Sequence, residues 1–319
     1  MRPFLIDTDT ASDDAVALIM ALAAPDVRVV AITTVAGNVG VEQATRNALC
    51  TLEICGADTP VYQGAAAPLV REHKHAHWFH GVDGLSDRGY PAPRGRAQAQ
   101  HAVDAIIETA HNNPGLTLVT LGPLTNIALA LARDPSFAQN IARCVVMGGA
   151  PCCEGNVTPA AEYNIWVDPE AARAVLRSAL PVELVGWHLC RGAAVFGDAD
   201  SAQALALGTA KARFAIDCNS RARAAYKTQT GENGIALPDP AAMAIALDRT
   251  VATAWSPHWV EVETQSRLTR GMTVVDRLNV AADASNRDTW AQALAGRKTD
   301  VCWTLDAARF KAMVMAALV

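Results

Sequence analysis

Phe4-Leu-Ile-Asp7-Thr-Asp9-Thr-Ala-Ser-Asp13-Asp14-Ala-Val-Ala-Leu-Ile-Met20 opens as a short apolar run. It passes through four aspartates in eight positions and continues into an alanine-rich apolar segment. The pattern reads as strand, loop, helix, with Asp7, Asp9, Asp13 and Asp14 held close together at the loop and the helix start. Four carboxylates in so small a volume repel one another, and neither packing nor solubility calls for them. A divalent cation relieves the repulsion, and oxygen-only ligands suit calcium or magnesium. A helix cap at Asp13 and a turn at Asp7 account for one or two of the four.

Outward from this stretch, strands and helices alternate. Residues 27–34 are β-branched and apolar and end at Ala36-Gly-Asn38; residues 42–55 read as helix and 60–63 as a short strand. Residues 64–100 are rich in His, Gly and Pro, and so long a loop is functional or mobile. A helix over 102–111 precedes a strand over 116–121. That strand ends in Gly122-Pro-Leu-Thr-Asn126, where proline stands early in the next helix, which runs to Arg133. A strand over 141–147 ends in Gly148-Gly, a loop spans 154–166, a helix 169–177 and a strand 182–186. The last third reads as mainly helical (199–207, 210–227, 240–247, 306–318) with a small β part over 259–263 and 272–281.

Continuous apolar strands alternating with helices predict an α/β fold. It is an open, mostly parallel, Rossmann-like sheet covered by helices on both faces. No repeat or linker divides the chain, so residues 1–319 read as a single domain. Ligands of such sheets sit beyond the carboxyl ends of the strands. The aspartates, Gly37-Asn38, Leu121-Gly122 and Met147-Gly148 all stand at such ends and converge.

Half of the 319 residues are hydrophobic and 18% are charged, an enzyme-like composition. A formal net charge of −5 excludes nucleic acid as a bulk partner. No apolar run is long enough for a bilayer, and Met1-Arg-Pro leads straight into a strand, so neither membrane nor signal peptide is expected. The eight scattered cysteines read as thiols of a reducing cytosol, hence a cytoplasmic protein. Cys152-Cys153 is set apart in a Gly/Pro-rich loop. His73, His75 and His77 alternate; a solvated loop explains them better than a metal array.

Several motifs together make the sequence resemble the inosine–uridine preferring nucleoside hydrolase family. They are Asp7-Thr-Asp9…Asp13-Asp14-Ala-Val-Ala-Leu, Thr34-Val-Ala-Gly37-Asn38, His80-Gly-Val-Asp-Gly84-Leu85, Gly122-Pro-Leu-Thr-Asn126-Ile-Ala, Val146-Met147-Gly-Gly, Gly155-Asn156-Val-Thr-Pro-Ala-Ala-Glu162-Tyr-Asn164-Ile…Asp168-Pro-Glu-Ala and a late Asp239. The resemblance implies calcium-dependent hydrolysis of the N-glycosidic bond of ribonucleosides, in a homodimer or homotetramer. It implies that Asp9, Asp14, the Leu121 carbonyl and Asp239 bind calcium, whose shell the ribose 2′- and 3′-hydroxyls and one water complete. Asp9 would double as general base. Asp13 and Asn38 would hold the lower ribose hydroxyls. Asn156, Glu162 and Asn164 would hold the 5′-hydroxyl side, with Met147 packed near the sugar and Asp7 as a brace. Such chemistry passes through an oxocarbenium-like sugar and needs negative charge, an activated water and help for the departing base.

Two features depart from that pattern. Pro238 stands where many members have a histidine before the late aspartate, and proline donates nothing. His80 is the candidate replacement, with Trp78 as a stacking surface for the base. Thr10-Ala11-Ser12 stands where Pro-Gly is common. Asp239, between two prolines, also reads as a helix N-cap. The base-recognising part falls in 64–100 and 221–238, around Arg223, Tyr226 and Lys227, and purine and pyrimidine both stay open. Two rival readings remain. One is a magnesium-dependent phosphohydrolase of haloacid-dehalogenase type, using Asp7-Thr-Asp9 and Asp198/Asp200. The other is a non-catalytic, calcium-stabilised nucleoside-binding protein, for which Pro238 speaks.

Overall fold

The structure is a computed structural model and describes residues 1–319. Ten strands form: β1 (Arg2–Thr8), β2 (Val27–Thr34), β3 (Val61–Gln63), β4 (Leu116–Thr120), β5 (Ile141–Met147), β6 (Val182–Val185), β7 (Ala252–His258), β8 (Val260–Val262), β9 (Thr273–Val275) and β10 (Thr299–Leu305). Eight of them make one sheet in the order β3-β2-β1-β4-β5-β6-β10-β7. All its neighbours are parallel except β10 and β7, which run antiparallel at the edge. β8 and β9 form a separate antiparallel pair.

Successive side chains of a strand point to opposite faces, and the core divides accordingly. Phe4 and Ile6 join one apolar cluster while Leu5 joins the other; Val145 and Met147 separate from Cys144 and Val146 in the same way. Both faces are therefore buried, as a parallel sheet with crossover helices requires. Helix Ser12–Ala23 packs on one face against helix Pro238–Leu247. That contact brings the late Asp239 back to the opening aspartates. Strand order reverses between β1 and β4, the place where such sheets bind ligands. Asp9 follows β1, and Leu121 follows β4 and donates its N–H to the Asp7 carbonyl at 2.8 Å.

The structure corrects several boundaries. The last third is mainly helical, as expected, but its β part is larger than the small pair read from the sequence. β7 and β10 extend the main sheet and a helix spans Arg287–Ala295, whereas only β8 and β9 answer to the expected pair. β7 is a half-exposed edge strand containing Pro257, so it carries little apolar periodicity. The helix expected over 210–227 divides into Ala210–Asp217 and Ser220–Thr230. At the break, Asn219 Nδ2 donates to the carbonyls of Ala215 (2.9 Å) and Ser12 (3.0 Å), tying the turn to the aspartate loop. The 154–166 loop ends early, because helix Tyr163–Val167 starts on a Glu162 cap. Pro123 lies before its helix, which begins at Thr125. Asp239 lies inside the first turn of its helix; the N-cap is Leu237. All eight cysteines are free thiols. No helix is long and apolar enough to cross a membrane.

Candidate active site

The four opening aspartates are buried. Asp14 is fixed by its surroundings: Thr8 Oγ1 donates to Oδ1 at 2.5 Å and the Ala11 N–H to Oδ2 at 2.9 Å. Asp7 Oδ1 accepts from Thr33 Oγ1 (2.6 Å) and Asn126 Nδ2 (2.8 Å). Asp9 Oδ2 accepts the Asn38 N–H at 2.5 Å. The other Asp9 oxygen, Oδ1, has no partner, nor do Asp7 Oδ2 and Asp13 Oδ1. Room for the Asp9 carboxylate comes from missing side chains. A Cβ on Gly37 would stand 2.1 Å from Asp9 Oδ2, and one on Gly122 would stand 2.7 Å from Asp9 Oδ1.

Asp239 completes the group. One oxygen each of Asp13, Asp14 and Asp239 lies within 4.8 Å of the others. Burial, then the Asp14 charge, pushes the carboxyls of Asp9, Asp13 and Asp239 well up from the usual range; burial also raises Asp14. Asp7 rises to about 6 through burial, although Thr33 and Asn126 oppose it. Buried carboxylates this crowded, with orphaned oxygens at Asp9 and Asp13, fit a hard divalent cation and no thiophilic one.

Beside the aspartates opens a cavity whose empty space, counted out into the open solvent at its mouth, is about 690 Å³. Ten of the twelve residues singled out in the sequence line it: Asp13, Asn38, Trp78, His80, Leu121, Met147, Asn156, Glu162, Asn164 and Asp239. Asp9 and Asp14 lie behind its wall with no exposure. The Leu121 carbonyl accepts Asn164 Nδ2 at 2.7 Å, which orients it and leaves one lone pair free. Asn164 Nδ2 also lies 3.2 Å from Met147 Sδ. Glu162 accepts three backbone N–H groups, from Gly149 and Asn164 (both 2.8 Å) and Ile165 (3.2 Å). Its carboxylate thus caps the short helix and keeps capacity for one further donor. Asn156 Oδ1 accepts the Tyr163 N–H at 2.9 Å.

His80 ends the short helix His77–His80 and is 7% exposed. Its Nδ1 lies 2.8 Å from Ser12 Oγ and 3.9 Å from Asp13 Oδ1. Burial lowers its pKa to about 3, so the ring is neutral at physiological pH. Trp78 is 53% exposed at the cavity rim. His73 Nε2 lies 2.7 Å from the Gly37 carbonyl, and His75 stacks on His77 at 3.6 Å. The three do not converge on a metal position.

Residues beyond those twelve also shape the cavity. Tyr226 and Gln229 reach it one turn apart on helix Ser220–Thr230, while Arg223 on the same helix pairs with Asp198 at the surface. Tyr226 falls in the part expected to recognise the base, and Gln229 is the residue of this pair that the sequence reading does not name. The only signal for Gln229 is its i, i+3 spacing from Tyr226, which places both on one helix face. Phe79 and Trp187 also line it; Trp187 follows β6 with no motif around it. Asp198 and Asp200, the later acidic pair of the phosphohydrolase reading, are each taken up by a cation, Arg223 and Lys311 respectively.

A profile of the family described as "Inosine-uridine preferring nucleoside hydrolase" matches residues 4–312. The pyrimidine-specific ribonucleoside hydrolase RihA of a Shewanella species (strain MR-7) is 40% identical over 288 residues, covering 89% of this chain and 90% of the relative. Among solved structures, a plant nucleoside hydrolase superposes with TM-score 0.92 at 30% identity, covering 99% of this chain and 98% of that one. A purine-preferring ribonucleoside hydrolase from Gardnerella vaginalis gives 0.88 at 30%, with the same coverage.

Proposed function

The chain belongs to the inosine–uridine preferring nucleoside hydrolase family and is an enzyme acting on N-glycosyl bonds of ribonucleosides, and from that premise we propose a calcium-dependent reaction centred on Asp9. The observation that carries the proposal is the unpartnered Asp9 Oδ1, buried between Gly37 and Gly122 at the strand-order reversal. Asp9, Asp14, the Leu121 carbonyl and Asp239 would hold the calcium ion. When bound, the ion would supply positive charge that offsets the crowded carboxylates and acidifies a water.

The residues of the chain do the rest. Asp9 takes the proton of the attacking water. Asp13 and Asn38 hold ribose hydroxyls at the cavity floor, and Asn156, Glu162 and Asn164 hold the 5′-hydroxyl end. Met147 packs against the sugar, whose developing positive charge the carboxylates stabilise. His80 serves the leaving base as a neutral hydrogen-bond donor, because an imidazole deprotonated down to about pH 3 carries no spare proton at neutral pH. Trp78 stacks on the base at the rim. Residues 1–319 act as one domain, since both cores wrap the same sheet. We further propose a cytoplasmic homodimer or homotetramer. Pyrimidine ribonucleosides are the first substrates to test, because the RihA relatives carry that specificity in their name.

The test is release of reducing sugar from inosine, uridine, cytidine, adenosine and guanosine, with calcium and with chelator. Turnover of at least one nucleoside, lost on chelation and restored by calcium, supports the reading. No release from any of them in calcium would overturn the calcium-dependent reaction centred on Asp9. Restoration by magnesium alone would overturn the choice of ion.

A further inference from the structure

We infer, on the reading that His80 serves the leaving base, that Ser12 is a positioning residue that holds the His80 imidazole as the tautomer with its proton on Nε2. Ser12 Oγ lies 2.8 Å from His80 Nδ1, and Ser12 has no exposure. The hydroxyl has no other hydrogen-bond partner in the protein. A buried hydroxyl proton without an acceptor costs more than an unfilled lone pair. The proton of Ser12 Oγ therefore points at Nδ1, and Nδ1 carries none. Asp13 Oδ1, at 3.9 Å, is too far to draw a proton onto Nδ1. The ring proton then resides on Nε2, which makes no hydrogen bond to the protein, in a side chain that lines the cavity.

Both partners are clamped. Ser12 opens helix Ser12–Ala23, and its carbonyl accepts Asn219 Nδ2 at 3.0 Å. The His80 N–H donates to the Ala76 carbonyl at 3.0 Å, and its carbonyl accepts the Ser86 N–H at 2.8 Å. The hydroxyl thus joins the aspartate loop to the middle of the 64–100 loop. Where Pro238 can donate nothing, an Nε2–H fixed in place supplies a donor from the other side of the sequence.

The chemistry balances without a charged histidine. The bond between C1′ and the base nitrogen breaks, and its electron pair leaves with the base. The Nε2–H donates a hydrogen bond to that developing anion and keeps its proton. Water adds to C1′ and gives its proton to Asp9, from which it returns to solvent. The departing base takes up one proton from solvent.

The experiment measures kcat for wild type, Ser12→Ala, His80→Ala and the double variant. One substrate is the best ribonucleoside of the panel; the other is 4-nitrophenyl β-D-ribofuranoside, whose phenolate leaves without help. His80 is observed in parallel by NMR of the enzyme carrying 15N-histidine. On the nucleoside we expect a loss of about 100-fold for His80→Ala and about 10-fold for Ser12→Ala, with no added loss in the double variant. On the nitrophenyl riboside Ser12→Ala stays near wild type. The wild-type ring shows Nε2–H, and Ser12→Ala shows mixed tautomers. Equal losses on both substrates, or additive losses in the double variant, overturn the role of Ser12 alone. A proton on Nδ1 in the wild type overturns it even if the variants misfold. A His80→Ala variant with unchanged kcat on the nucleoside instead removes the leaving-base reading, and the role of Ser12 with it.

Discussion

Gly37 and Asp9 are packed so closely that the carboxylate position depends on the missing side chain: a Cβ at 37 would stand 2.1 Å from Asp9 Oδ2. The next residue holds that same oxygen, since the Asn38 N–H donates to it at 2.5 Å. Gly37→Ala must therefore push Asp9 aside or bend the end of β2. A displacement near 1 Å at a reacting group costs about 100-fold in rate, and overpacking costs about 1–3 kcal/mol of stability. We expect a folded variant with kcat lower by about two orders of magnitude, measured by ribose release on the best nucleoside. Near-wild-type kcat in a folded Gly37→Ala protein would show that the Asp9 position is not critical.

Asp9→Asn keeps the shape of the side chain and removes its charge and basicity. Asn38 can still donate to the amide oxygen, so the fold should survive. General-base losses run about 10²–10⁴-fold, and calcium binding should weaken as well. Circular dichroism and calorimetric calcium titration, alongside kcat, check the three parts. A variant that keeps normal kcat would remove Asp9 from the reaction.

Metal removal should make stability depend on pH in an unusual direction. Asp7, Asp9, Asp13, Asp14 and Asp239 all have raised carboxyl pKa values, chiefly from burial. Above the ordinary aspartate value of about 3.9, the folded chain binds more protons than the unfolded one. Stability then falls as pH rises, first through about 6 for Asp7 and on through the higher values of Asp9, Asp13 and Asp239. In chelator, Tm should drop as pH rises from about 4 to about 8, the value to which Asp13 is pushed up; excess calcium should flatten the curve, so that its stabilisation grows with pH. A Tm in chelator that rises over this range would contradict the burial argument.

The sheet was legible in residues whose neighbours allow one reading. β2 and β5 are mostly apolar, each interrupted by a single arginine near its start (Arg28, Arg143), and their observed limits coincide with the expected ones. The ends of β1, β2, β4 and β5 could be placed together because a parallel sheet puts its strand ends on one side. β7 and β10 were not legible, because an edge strand shares its hydrogen bonds with one neighbour and its side chains with solvent. The candidate site was legible where backbone order sets it, as in Asp9 and Leu121. Ser12 escaped notice since its partner is 68 residues away and a serine at a helix start already has a local explanation. Gln229 was hidden on a helix whose Arg223 and Lys227 mark the solvated side.

Tyr163 supplies the last prediction, because its hydroxyl lies 2.7 Å from both the Gly37 and the Lys74 carbonyls. His73 Nε2 reaches the same Gly37 carbonyl, and the Ala76 N–H donates to the Asn38 carbonyl at 2.9 Å. These bonds fasten the start of the 73–80 segment over the cavity that Ala76, Trp78 and His80 line. Tyr163→Phe removes one fastening and leaves the ring in place. Losing a hydrogen bond of about 1 kcal/mol corresponds to about fivefold in an equilibrium. The segment should open more often, so KM should rise about fivefold with a smaller change in kcat. Amide exchange should speed up over residues 73–80 and stay unchanged in β1 and β4. Unaltered exchange in the segment together with unaltered KM would mean that the loop is held over the cavity by its other contacts alone.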